Sequence, residues 1–165
     1  LQHIRHLRID ISRPTTTLRM SKAAFYCGWL ASRLGWEVKQ PLGRPGMTED
    51  DDVMTGSFRD ARRREVTVEL RPVRATLDGS HRAAGSLVRV DIEAERPRAT
   101  VRARITRQAD HLLATADWNG AQVTRRAGRL EPFDETPFIA EALERPGLDR
   151  IFEQALIRAV RFVSG

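Results

Sequence analysis

The sequence predicts an α+β domain: an antiparallel β-sheet, a meander of about five to seven strands, with one long N-terminal-side helix and two C-terminal helices packed on one face. Three observations predict it. Apolar and charged residues alternate strictly through Val66–Arg71, Val88–Ala94, Val101–Ile105 and Leu112–Trp118. The links between these segments are short, and strict alternation with short links is the mark of an antiparallel sheet with one solvated face. Residues 20–34 and the segment from Thr136 onward switch to a helical period.

The first strand is predicted at Leu7, Ile9 and Ile11, alternating with Arg8 and Asp10 and closed by Pro14. Thr15–Thr17 offer N-caps for the helix that follows. That helix carries Met20, Ala23, Cys27, Leu30 and Leu34 in one row and Phe25 and Trp29 in another, with Gly35 as its stop. It is apolar on most of its faces, so it is expected to be buried on most of them or to carry a partner on its outer side. Trp36 and Val38 begin a second strand, closed by Pro41, and Trp36 is expected in the core. From Gly43 to Asp60 the chain reads as a flexible acidic loop around Glu49-Asp50-Asp51-Asp52. The alternating strands follow. Glu95-Arg96-Pro97-Arg98 joins two of them, and Asn119-Gly120 is a strong hairpin signal because both residues tolerate positive φ. Thr136-Pro137 opens a helix with Phe138, Ile139, Ala142 and Leu143 on its apolar stripe, stopped at Pro146-Gly147. Asp149 caps the last helix, whose expected buried face is Leu148, Phe152, Ala155, Leu156, Ala159, Val160 and Val163.

Residues 1–165 suffice for a single domain with a real core. With 41% hydrophobic and 30% charged residues, the chain belongs with globular proteins and not with disordered ones. No apolar run reaches the roughly 18 residues of a membrane span, so no membrane partner is expected. A single cysteine excludes an internal disulfide and a multi-cysteine zinc site. A cytoplasmic home fits best. The first residue is Leu1 and not Met, which suggests a fragment or a processed chain. The net charge is +6, but the arginines are spread and interleaved with Asp and Glu. Spread charge is a poor footprint for phosphate, so nucleic acid is not the expected partner.

No phosphate-cradling loop, dinucleotide fingerprint or nucleophile elbow is present. His3, His6, His81 and His111 do not converge: His3 and His6 sit three apart on a strand and face opposite ways. The acidic run lacks the spacing and Gly of a calcium loop. Cys27, among aromatics, reads as a core cysteine and not a redox sensor. Catalytic, cofactor-binding and metal-ligating residues are therefore expected to be none, and no cofactor is expected. The candidates that remain are for partner binding: Phe25 and Trp29, with Arg33 one turn on.

Gly28–Trp36, GWLASRLGW, preceded by the strand HIRHLRIDIS and a Pro/Thr-rich approach, resembles the C-terminal domain of the OpcA family. The segment PFIAEALERPGLDRIFEQALIRAV at Pro137–Val160 is similar to the closing pair of helices of that family. Between these anchors the match is one of pattern. The resemblance implies a non-catalytic partner that promotes assembly or activity of glucose-6-phosphate dehydrogenase in the oxidative pentose phosphate pathway. It also implies a longer protein, in which this chain is the C-terminal domain beside its own N-terminal domain. Some cyanobacterial members are linked to thiol control of the dehydrogenase; one cysteine leaves no dithiol switch within this part. The alternatives are a basic nucleic-acid-binding module, resting on charge alone, and an enzyme using Asp51 or Asp52 in the acidic loop, which lacks a base, a nucleophile or a cradle.

Overall fold

The computed structural model describes residues 3–13, 20–43, 53–74, 85–130 and 149–165. In chain order these form β1 (His3–Ser12), α1 (Ser21–Leu34), β2 (Glu37–Gly43), β3 (Met54–Arg59), β4 (Glu65–Val73), β5 (Leu87–Arg96), β6 (Ala99–Arg107), β7 (His111–Trp118), β8 (Ala121–Arg129) and α2 (Arg150–Ser164). The strands make one sheet in the order β2-β3-β4-β1-β5-β6-β7-β8.

This corrects the expected architecture. The sheet has eight strands and is mixed: β1 runs parallel to β4 and antiparallel to β5. Two helices, not three, are described. The reason is a crossover. α1 carries the chain back over the sheet, so β2 starts again in the sense of β1. Two hairpin reversals then return β4 in that same sense, and β4 docks beside β1. The helix expected over Pro137–Leu143, the N-caps Thr15–Thr17 and the acids Asp51 and Asp52 lie outside the described residues.

A second correction concerns Gly43–Asp60. Its last third is not loop but β3, an interior strand between β2 and β4. Met54, Gly56 and Phe58 face the helices opposite Leu70, Val68 and Val66. The gap at Gly56 hides the alternation in the sequence. Phe162 of α2 fills it: a Cβ on Gly56 would stand 2.6 Å from the Phe162 ring. Pro41 lies inside β2, where the sheet edge spares it a ladder hydrogen bond.

The core lies between the helices and the β2–β5 half of the sheet. Leu7, Ile9, Ile11, Val66, Val68, Leu70 and Phe58 are fully or almost fully buried there with Cys27, Ala31 and Phe162. Trp36 sits at its edge, 4% exposed, with its ring centroid 5.9 Å from that of Phe58. The ends of the helices are set locally. Gly35 ends α1 at φ 66°, and the Trp36 amide donates back to the Ala31 carbonyl at 2.9 Å. Asp149 caps α2 by accepting from the amides of Ile151 and Phe152 at 2.9 and 3.1 Å. Asn119 and Gly120, at φ 50° and 83°, close the β7–β8 hairpin.

Candidate partner interface

α1 does not bury its large residues. Its buried positions are Ala23, Ala24, Cys27, Gly28 and Ala31. The cause is a close helix crossing: a Cβ on Gly28 would stand 2.2 Å from the Ala155 carbonyl oxygen and 2.7 Å from the Ala159 nitrogen. α2 meets α1 with small residues and the sheet with Phe162, which stacks on Phe58 at 4.5 Å. Helices that approach this closely push their bulky side chains outward.

The expected buried face of α2 is therefore corrected in part: Ala155 and Ala159 are buried as expected, and Leu148 lies outside the described residues. Phe162 is buried with them, while Phe152, Leu156, Val160 and Val163 are exposed. Two apolar stripes share this helix, and the stripe of alanines faces inward because only it allows contact at Gly28. The sequence signal for this lay in Gly28, Ala155 and Ala159, each a small residue at helical spacing.

The outer face of the two helices is consequently apolar. Trp29 is 40% exposed, Phe152 52% and Val160 54%, with Leu34 and Leu156 also exposed. Phe25 is half-buried and tilts against Phe152 at 5.2 Å, joining the two helices at the surface. Trp29 stacks on Tyr26 at 6.0 Å, which holds its ring in place.

Arg33 borders a cleft at the end of α1. The cleft, of about 270 Å³, is also lined by Ile4, Leu34, Trp36, Asp60, Ala61, Arg62 and Arg64. The β3–β4 turn forms one wall. Asp60 accepts from the amides of Arg62 and Arg64, each at 2.8 Å, and from the Arg64 guanidinium at 2.9 Å. Burial by itself raises the Asp60 pKa, but these donors outweigh it and hold the carboxyl below its ordinary value. His3 stands 3.6 Å from Asp60, and burial together with Arg64 lowers its pKa, so near neutrality it is not the cation of an ion pair. Phe25, Trp29 and Arg33 occupy one helix, with Arg33 one turn beyond Trp29 where the cleft begins.

The remaining sequence candidates are placed as follows. Burial pushes the Cys27 thiol up to about 12, which leaves it unreactive. His6 lies 3.3 Å from Glu69, and His111 lies 2.7 Å from Asp110. His81 is outside the described residues, among which no three His, Cys, Asp or Glu side chains gather as a metal site. Among these residues, too, no helix is long and apolar enough to cross a membrane.

Charges on β1, β4, β5 and β6 neutralise one another across the sheet. Arg8 meets Glu69 at 2.8 Å, Arg71 meets Asp10 at 3.1 Å, Arg102 meets Glu93 at 2.8 Å and Arg104 meets Asp91 at 2.5 Å. Each pair is directly opposite across adjacent strands. A checkerboard of this kind presents no broad cationic field to phosphate.

A mixed sheet with two helices on one face and an apolar outer helical surface defines a mixed α/β domain. The chain belongs to the family described as the C-terminal domain of the glucose-6-phosphate dehydrogenase subunit, whose model matches residues 1–156. It is 28% identical over 138 residues to a Synechococcus elongatus protein named as the OxPP cycle protein OpcA, a match covering 82% of this chain and 30% of that protein. The chain therefore spans under a third of the length of that relative. Its fold is similar to half of KijD10, a 3-ketoreductase from Actinomadura kijaniata, with a TM-score of 0.50, 12% identity, and coverage of 95% of this chain and 51% of that one. Levoglucosan dehydrogenase in complex with NADH and levoglucosan matches at a TM-score of 0.43 and 14% identity, over 96% of this chain and 56% of that one.

Proposed function

We propose that this domain is a non-catalytic partner of glucose-6-phosphate dehydrogenase that promotes its assembly or activity, and that it acts in the cytoplasm as the C-terminal part of a longer protein with its own N-terminal domain. Family membership supports the choice of partner. The observation that carries the mode of action is the outer helical face, where Trp29, Phe152, Leu156 and Val160 remain exposed above a core that is already filled. Interface energy concentrates in aromatic and arginine residues near the centre of a patch. Trp29 and Phe25 form that centre here, and Arg33 contributes from the adjoining cleft. The paired charges of β1, β4, β5 and β6 favour this reading over nucleic-acid binding.

The test is co-purification of the full-length protein with the dehydrogenase of the same organism, followed by dehydrogenase assays with and without it. Stimulation is expected, and it is expected to fall when Trp29 becomes Ala in a protein whose melting temperature is preserved. A folded protein that neither binds nor stimulates the enzyme would remove the proposal.

A further inference from the structure

The arginines of β8 depart from the pairing seen at the centre of the sheet. There, three arginines stand opposite carboxylates on the adjacent strand: Arg8 faces Glu69, Arg102 faces Glu93 and Arg104 faces Asp91. On β8, Arg125 faces Thr115, Arg126 faces Ala114 and Arg129 faces His111. None of these three has a carboxylate partner among the described residues. Among the described residues β8 is also an open edge of the sheet, and all nine of its residues are exposed. Alternate residues of such a strand turn their N–H and C=O groups outward, with no neighbour to satisfy them.

We propose that the outer edge of β8 is a strand-addition site for an extended acidic segment of a partner polypeptide. The charge pattern of the sheet then continues one strand further, with carboxylates opposite Arg125, Arg126 and Arg129. Main-chain bonds supply the affinity, and the carboxylates supply register and choice of partner. Arg125 and Arg129 lie on one face and Arg126 on the other, because side chains alternate along a strand. A complementary antiparallel strand therefore reads Glu-x-x-Glu-Glu. A second copy of this chain is a poor occupant, since its own β8 would bring cations to cations. Charged edges commonly serve to repel other strands; here that protection works against neutral and basic strands and leaves acidic ones admitted. The surface is separate from the outer helical face, so this inference does not depend on the identity of the enzyme partner.

The experiment uses the whole chain and a capped nine-residue Thr/Val peptide carrying Glu-x-x-Glu-Glu. Hydrogen–deuterium exchange and fluorescence anisotropy report binding. The expected result is slowed exchange across residues 121–129 and a Kd below about 1 mM. R125E/R126E, at exposed positions, should weaken binding at least about tenfold and should bind a Glu-x-x-Lys-Lys peptide in its place, the first Glu still meeting Arg129. A peptide N-methylated at alternate amides separates strand addition from simple ion pairing, because it keeps the charge and loses the main-chain bonds. Equal binding of the methylated peptide overturns the proposal. So does absence of binding, which would make the arginines a guard only. Binding of a short oligothymidylate without binding of the acidic peptide overturns it in favour of nucleic acid.

Discussion

Gly28 of α1 lies against the backbone of Ala155 in α2, so close that a Cβ at Gly28 would stand 2.2 Å from the Ala155 carbonyl oxygen. This contact sets the spacing of the helical layer. It decides which stripe of α2 faces inward, and so which side chains are left for a partner.

Gly28→Ala should separate the two helices. The obstacle is main chain, which cannot step aside as a side-chain tip can. A loss of about 1–3 kcal/mol or more is expected by overpacking. Urea denaturation of the variant beside the parent chain measures it; a change within about 0.5 kcal/mol would contradict the close crossing.

Trp36→Ala should cost about 3–5 kcal/mol, the usual range for emptying a large buried site. Trp36 is 4% exposed and packs on Phe58. Trp29→Ala should cost much less, because Trp29 is 40% exposed. Thermal melts of the two variants should differ clearly, with Trp36→Ala the lower. Equal melting temperatures would show that the two tryptophans share one role.

Phe25→Ala should fall between them. Phe25 is half-buried and its ring meets Phe152 across the helix pair at 5.2 Å. Stimulation of the dehydrogenase should drop in Phe25→Ala, Trp29→Ala and Arg33→Ala, with Arg33→Ala leaving stability within about 0.5 kcal/mol as an exposed surface change. If a histidine such as His111 were instead essential in a folded protein, the non-catalytic reading would fail.

Asp60→Asn should make stability less dependent on acid. The native carboxyl titrates below its ordinary value, so its contribution is complete above the unfolded-state pKa and is lost as pH falls through the lower folded value. The stability gap between parent and variant should be widest near neutrality and should close as pH falls through the lowered folded value. A gap that stays constant through that value would show that the Arg64 contacts do not stabilise the ionised form.

Cys27 should resist thiol reagents in the native protein and react only at the rate of unfolding. Its thiol is raised to about 12 and buried between α1 and the sheet. Rapid labelling with no change in circular dichroism would count against this burial.

The local pieces of this domain were legible in the chain alone. Alternation in β1, β4, β5, β6 and β7, the stop at Gly35, the cap at Asp149 and the hairpin at Asn119-Gly120 each depend on residues within one turn or one strand, so a linear reading finds them. GWLASRLGW was enough to indicate the family. Contacts between residues far apart in the chain settled the rest. Parallel docking of β1 on β4 follows from the path of α1 over the sheet, which no local period records. β3 escaped notice because Gly56 leaves a gap that only Phe162, more than a hundred residues away, completes. The buried face of α2 was one of two stripes equal in period, and the choice fell to the pair of alanines that fits Gly28. Exposure of Trp29 and the unanswered arginines of β8 are products of the same kind of choice. Periodicity tells which residues share a face, whereas burial depends on what that face can approach closely enough to exclude water.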